Sequence, residues 1–222
     1  MTTSTFRIVV TGTDTDVGKT VFSAGLVAAL GARYWKPIQA GLGSETDSEV
    51  VKRLANLESS RVLPEAYRLS MPASPHIAAA HEGLTLDFAR VVDALPDPAT
   101  SGSLVVEGAG GLMVPIDDRH TMIDLFARWK LPVVLCARTS LGTINHTLLS
   151  LEALERGRVP VVGVAFFGDG EDDVEATIVA RGRVRHLGRL PRLKALDSLS
   201  LSRAFADHID LDSIRRDSEA LR

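Results

Sequence analysis

The chain has 222 residues, 45% of them hydrophobic, and its 25 basic and 28 acidic residues leave a net charge of -3. That length buries one full α/β core without disulfides or bound metal to hold it, and the apolar content excludes a disordered chain. The charge balance supplies no overall positive field for nucleic acid or an anionic membrane, so neither is expected as a partner and any anion must be met by a local site.

The N-terminal stretch MTTSTFRIVV lacks a basic region followed by a long apolar one, and no apolar run approaches the ~18 to 20 residues that span a bilayer. A soluble, untargeted chain is expected. RIVV predicts a first buried strand, followed by Gly12 and then by Gly18-Lys19-Thr20 at the start of a helix over Thr20 to Leu30. YWKPIQAG predicts a second strand-like stretch with Lys36 at its end, directly before a proline that stops it. Asp47 stands in front of a helix expected over Ser48 to Leu57, where it suits an N-cap. SMPASPHIAAAHEG and LPDPATSG are the most loop-like segments, and the helix between them, Leu86 to Leu95, shows apolar residues at steps of three and four.

SLVVEG predicts a strand with Glu107 at its carboxyl end, as a magnesium or water ligand is placed in a nucleotide site, although a turn carboxylate is the alternative. LPVVLCA predicts another strand, in which Cys136 is a buried core residue. One cysteine cannot form an intrachain disulfide, which fits a reducing cytoplasm. A helix over Thr143 to Arg156, the strand VPVVGVAFF, a helix over Val174 to Arg181 and a polar terminal helix in LDSIRRDSEALR complete the chain. Strands apolar on both faces, alternating with helices, predict a single α/β domain over residues 1–222: a mainly parallel sheet with helices on both faces. Ligands of such sheets bind beyond the carboxyl ends of the strands.

A strand, a glycine turn and Gly-Lys-Thr at a helix start form the context of a phosphate-binding loop. Unpaired backbone N–H groups at the helix end hold phosphate oxygens, Lys19 reaches the terminal phosphates and the Thr20 hydroxyl sits on magnesium. Five residues separate Gly12 from Gly18 instead of four. The six histidines, at positions 76, 81, 120, 146, 186 and 208, show no paired metal-ligand spacing, and no serine sits in a nucleophile elbow.

GTDTDVGKT, KPIQAG, SPHIAAAHEG, VEGAGGLMVPI and LGTINHTLLSLEAL, in this order, resemble dethiobiotin synthetase, over about Phe6 to Leu193. The resemblance implies a P-loop NTPase-like fold and an ATP- and Mg2+-dependent cyclo-ligase. Such an enzyme joins diaminopelargonate and CO2 into dethiobiotin, through a carbamate and a carbamic-phosphoric anhydride, with release of ADP and phosphate. It implies Lys36 and Lys19 as catalytic residues. Thr20, Asp47 and Glu107 follow as magnesium ligands, and Thr15, Lys36, Ala40, Gly110 and Asn145 as substrate contacts, the substrate carboxylate lying at a helix start across a homodimer interface. The nucleotide is implied to lie along Asp16, Val17, Gly18, Lys19, Thr20, Val21, Asp47, Glu107, Gly108, Ala109, Gly110, Phe167, Gly168, Leu190, Pro191 and Arg192. Asp16 stands where a glutamate is common, Ala40 where some members carry a hydroxyl, and Phe167 where some carry an asparagine that reads adenine. A partition-type ATPase switch is the alternative, but it carries an early loop lysine where this chain has Asp14.

Overall fold

The computed structural model describes residues 5–221; residues 1–4, on which the reading of the N-terminus partly falls, and residue 222 lie outside it. Nine strands and ten α-helices follow one another among the described residues. The first half carries β1 (Arg7–Gly12), α1 (Lys19–Leu30), β2 (Arg33–Trp35), β3 (Ile38–Ala40), α2 (Asp47–Leu54), β4 (Val62–Leu63), β5 (Tyr67–Leu69), α3 (Pro75–His81), α4 (Phe88–Asp93) and α5 (Pro98–Ser101). The second carries β6 (Leu104–Gly111), α6 (Met122–Trp129), β7 (Val133–Arg138), α7 (Thr143–Arg156), β8 (Val161–Phe167), α8 (Asp172–Gly182), β9 (His186–Leu190), α9 (Ser198–His208) and α10 (Leu211–Ala220).

Seven strands form one sheet in the order β4-β2-β6-β1-β7-β8-β9, with every pair parallel, and β3 pairs with β5 in a small second sheet. The chain runs from β1 out to β2 and β4 on one side, returns to β6, then crosses β1 to build β7, β8 and β9 on the other. The carboxyl ends of β1, β6 and β2 therefore open beside one another where the strand order reverses, the usual place for a ligand in such sheets.

The two-residue period of a strand divides the core. Ile8, Val10, Tyr34, Val105 and Cys136 face α1, α2, α9 and α10, through Phe22, Leu26, Val51, Phe205 and Ile214. Val9, Trp35, Leu104, Val106 and Leu135 face the opposite layer, built around Phe126, Trp129, Leu151 and Leu154. Glu107 follows Val105 by two residues within β6, so strand alternation aims it toward the α1 side, and Lys36, directly past the end of β2, meets it there.

Helix ends account for several departures from expectation. Asp47 is not the cap of α2: that role belongs to Thr46, whose side chain accepts from the Glu49 backbone N–H while the Glu49 carboxylate accepts from the Thr46 N–H. Asp47 is thereby the first helical residue, with its carboxylate free to turn toward the strand ends. The two loop-like segments each contain a short helix, α3 and α5, entered through Pro75 and Pro98. Six elements had no counterpart in the sequence reading: β3, β4, β5, α6, β9 and α9. The helix expected to reach Leu57 stops at Leu54, with Asn56 at φ 50° just beyond.

A candidate nucleotide and carboxylation site at the strand ends

The loop between β1 and α1 folds back tightly over its own helix. A Cβ on Gly12 would stand 2.5 Å from Val17 Cγ2 and 3.2 Å from Lys19 Cγ, so any larger residue would push the loop off the lysine. Gly18 has φ 100°, and a Cβ there would meet the Phe167 ring at 2.5 Å. The two glycines thus let the backbone close around a position in front of the α1 N-terminus, which carries no side-chain cap. Lys19 is 6% exposed, and its Nζ donates to the Asp14 carbonyl at 2.7 Å. Burial pulls its pKa below the ordinary lysine value, and the nearby Lys36 charge adds to this against the attraction of Glu107.

Behind the loop the acidic and basic groups interlock. Thr20 Oγ1 lies 2.6 Å from Asp47 Oδ1 and 2.8 Å from Glu107 Oε1. Lys36 Nζ stands 2.5 Å from Asp47 Oδ2 and 3.2 Å from Glu107 Oε1. Glu107 is fully buried and Lys36 is 4% exposed. Burial alone would discharge Lys36, but the two carboxylates outweigh it and hold its pKa above the ordinary value. Asp47 moves in the opposite direction: burial favours its neutral form, and Lys36 with the hydrogen bonds from Thr20 and Gln39 brings its pKa below the usual range. Two buried cations, Lys19 and Lys36, therefore face the buried Glu107 and the half-buried Asp47, and the cluster of protein groups is close to electroneutral.

That pairing predicts the acid limb of stability. Asp47 has a folded pKa below its unfolded value of about 3.9, so its contribution is present above that pH and is lost as pH falls through the lower, folded value. Asp47→Asn should lower stability by about 1–2 kcal/mol at neutral pH. Urea midpoints across the acid range should converge with wild type as the aspartate protonates; a gap that persists at the lowest pH would show that the carboxylate charge is not what is lost.

A cleft of about 810 Å³ opens onto this cluster and is lined by Thr15, Asp16, Gly18, Lys19, Thr20, Val21, Lys36, Ala40, Asp47, Glu107, Ala109 and Gly110, among others. A second hollow, of about 420 Å³, shares Asp16, Gly18 and Val21 with it and continues past Val17, Phe167, Gly168, Leu190, Pro191 and Arg192. The residues expected for phosphate and metal thus meet in one place, and those expected for the base extend from it around Gly18. Phe167 packs edge-on against Phe22 with ring centroids 6.0 Å apart, so it forms a wall of the second hollow and not a hydrogen-bonding reader. Two expected residues lie elsewhere. Gly108 points away from the cleft, since a Cβ there would meet Phe126 at 2.8 Å, as the strand alternation requires. Asn145 lines a separate hollow at the start of α7, with Leu141, Thr143 and Leu148.

The structure also brings in groups that the sequence reading left out. Tyr34 donates its hydroxyl to Glu107 Oε2 at 2.9 Å, Gln39 Oε1 accepts from the Asp47 backbone N–H at 3.2 Å, and Pro72 to Pro75 close the far rim of the cleft. SPHIAAAHEG carried no role in that reading because proline and alanine announce no chemistry; their contribution is shape. Burial, then the Glu107 charge, keeps the Tyr34 phenol protonated well above its usual range. Cys136 is fully buried, and its thiol is pushed up by burial.

A family model described as an AAA domain matches residues 7–200. An ATP-dependent dethiobiotin synthetase BioD of Rhodopseudomonas palustris (strain BisB18) is 60% identical over 90% of this chain and 93% of its own length. The chain belongs to the dethiobiotin synthetase family. The same name is carried by a relative from Agrobacterium fabrum, 55% identical over 92% of this chain and 95% of that one. Dethiobiotin synthetase kinship makes the chain an enzyme, an ATP-dependent ligase, and its P-loop sheet is shared with proteins of other activities. A ParA family ATPase from Chlorobium tepidum superposes with a TM-score of 0.55 at 11% identity, covering 92% of this chain and 98% of that one. The Pyrococcus furiosus cell division ATPase MinD does so at 0.53 and 12%, covering 95% and 98%. Identities this low speak of the fold alone. In place of the early loop lysine expected of a partition-type switch, the Asp14 carboxylate is paired with Arg138.

Proposed function

We propose that this chain couples ATP cleavage to closure of a cyclic urea, converting 7,8-diaminopelargonate, CO2 and ATP into dethiobiotin, ADP and phosphate. The observation that carries the reading is the convergence of Lys19, Lys36, Thr20, Asp47 and Glu107 at the floor of one cleft. One substrate amine adds to CO2 and loses a proton to give a carbamate. A carbamate oxygen attacks the γ-phosphorus, and the bond to the β-phosphate oxygen breaks as ADP leaves. The second amine then attacks the carbonyl carbon of the carbamic-phosphoric anhydride; the C–O bond breaks, phosphate departs, and the ring is closed.

The protein's part in such chemistry is positioning and charge. Lys19 leaves the Asp14 carbonyl for the terminal phosphates. Lys36 already lies between two carboxylates, and exchanging one of them for the carbamate keeps it charged while it neutralises the attacking oxygen and the transferring phosphoryl group. Thr20, Asp47 and Glu107 offer only hard oxygen donors, the set suited to Mg2+, and the approach of Thr20 Oγ1 to both carboxylates supports their holding one ion. A divalent ion held by these three residues would supply the positive charge that the balanced protein cluster lacks against the tetra-anionic nucleotide.

Asn145 and the fully exposed Leu141 beside it lie away from this cleft, which supports a homodimer in which the α7 start of a second copy meets the substrate carboxylate. No helix among the described residues is long and apolar enough to cross a membrane, and we place residues 1–222 in the cytoplasm as a single synthetase domain. Phosphate release from Mg2+-ATP should require diaminopelargonate and bicarbonate together. Release without the diamine, or none with every component present, would overturn the reading.

A further inference from the structure

Tyr34 touches no part of the cleft directly. It sits in β2 with no exposed surface, paired in register with Val105 of β6, and its ring is part of the core facing α1. Its hydroxyl has one partner, Glu107 Oε2, at 2.9 Å. The other oxygen of that carboxylate, Oε1, receives Thr20 at 2.8 Å and Lys36 at 3.2 Å. The last torsion of a glutamate is broad and roughly two-fold, so packing of the stem alone does not decide where the two oxygens point. A donor fixed on one oxygen does decide it.

We propose that Tyr34 is a positioning residue: by holding Glu107 Oε2 it locks the carboxylate in the orientation that presents Oε1 to Thr20, Lys36 and the bound cation. This rests on the reading of Glu107 as a cation ligand given above. Tyr34 comes two residues before Lys36, which follows directly on the end of β2, so one short segment delivers both the group that Glu107 faces in the cleft and the group that pins it from behind. An aromatic ring without the hydroxyl fills the same core space and leaves a buried carboxylate oxygen without its donor. The hydroxyl is thus not needed to pack β2 against α1; it acts on the site through the carboxylate.

The test compares wild type with Tyr34→Phe, using Mn2+ as a paramagnetic probe in the presence of ADP, and measures metal-free ADP binding by calorimetry on the same preparations. Loss of a group that orients a ligand typically weakens metal affinity by 10- to 100-fold; Mn2+ should bind about tenfold more weakly to the variant, with metal-free ADP affinity unchanged. Equal Mn2+ affinity in the two proteins overturns the proposal, and so does a parallel loss of both affinities, which marks a general disturbance of the fold. In a Glu107→Asp background, where the shorter side chain withdraws from the hydroxyl, the same Tyr34 substitution should alter Mn2+ affinity by less than about twofold; an undiminished effect overturns the coupling. Absence of Mn2+ binding by wild type itself would strike instead at the cation reading of Glu107, and the two failures are distinguishable.

Discussion

Lys36→Ala should lower kcat by about 10²–10³-fold, the scale seen when one preorganised stabiliser of developing charge is removed. The loss should be concentrated in kcat and not in the KM for ATP, because the proposed role of Lys36 is toward the carbamate and the transferring group. The same substitution also destabilises the fold. The sequence places Lys36 at a strand end, where a solvated side chain is the ordinary outcome; the structure instead seals it between Asp47 and Glu107 at 4% exposure. Removing the cation leaves the buried Glu107 without its ion-pair partner, at a cost of about 3–5 kcal/mol. For a chain of this size that is on the order of 6–20 °C in Tm. Steady-state kinetics beside thermal unfolding separates the two effects: near-normal turnover at a temperature where the variant is folded removes Lys36 from the reaction.

Lys19→Ala has the opposite profile. Its ammonium is held near the loop by the Asp14 carbonyl, and burial disfavours its charge in the ligand-free state. A lysine whose folded pKa lies below its unfolded value subtracts stability at neutral pH, and the deficit shrinks as pH rises through the folded pKa toward the unfolded one. Truncation should therefore leave Tm unchanged or slightly raised. The kcat/KM for ATP should fall by about 10³-fold, since the charge that meets the terminal phosphates is gone. Two buried lysines on one cleft are thus predicted to differ in sign for stability while agreeing in direction for activity. A Lys19→Ala protein that loses stability as Lys36→Ala does would contradict the charge balance described for the site.

The parts of this architecture that were legible in the sequence are those governed by short-range rules. Glycine spacing before Lys19, runs of β-branched residues and the three-to-four step of apolar residues in α4 and α7 each announce one local conformation. Helix α6 carried a usable signal, with apolar residues at 122, 123, 125, 126 and 129, all buried on one face. By contrast α9 hides behind the alternation of leucine and serine from Ser198 to Ser202, a strand-like period. What makes it helical is Asp197, which accepts from the Ser200 N–H, together with burial of Leu201 and Phe205 against Phe22 of α1. That partner lies far away in sequence. β9 contains Gly188 and little alternation, and it exists as a strand because β8 supplies its hydrogen bonds.

The site divides in the same way. Lys19 and Thr20 follow from the loop pattern, but the pairing of Lys36 with Asp47 and Glu107 depends on three segments meeting at the carboxyl ends of the strands, which no local window contains. Strand β6 runs on to Gly111, three residues past the expected SLVVEG, so Glu107 lies within the strand and not at its carboxyl end, and the orientation of Gly108 follows from strand alternation. Tyr34 could have been found only by asking which residue two places before Lys36 shares its face, because an aromatic in a strand ordinarily means packing.

The central claim is that the cleft directs a carbamate oxygen, and not water, onto the γ-phosphorus. Fresh C18O2 supplied in unlabelled water with Mg2+-ATP and diaminopelargonate, sampled within the first turnover, reports this directly through the mass of the phosphate released. One 18O should appear in each phosphate formed alongside dethiobiotin, because the bridging oxygen leaves with the phosphoryl group when the ring closes. Phosphate carrying no label while dethiobiotin forms would contradict the account.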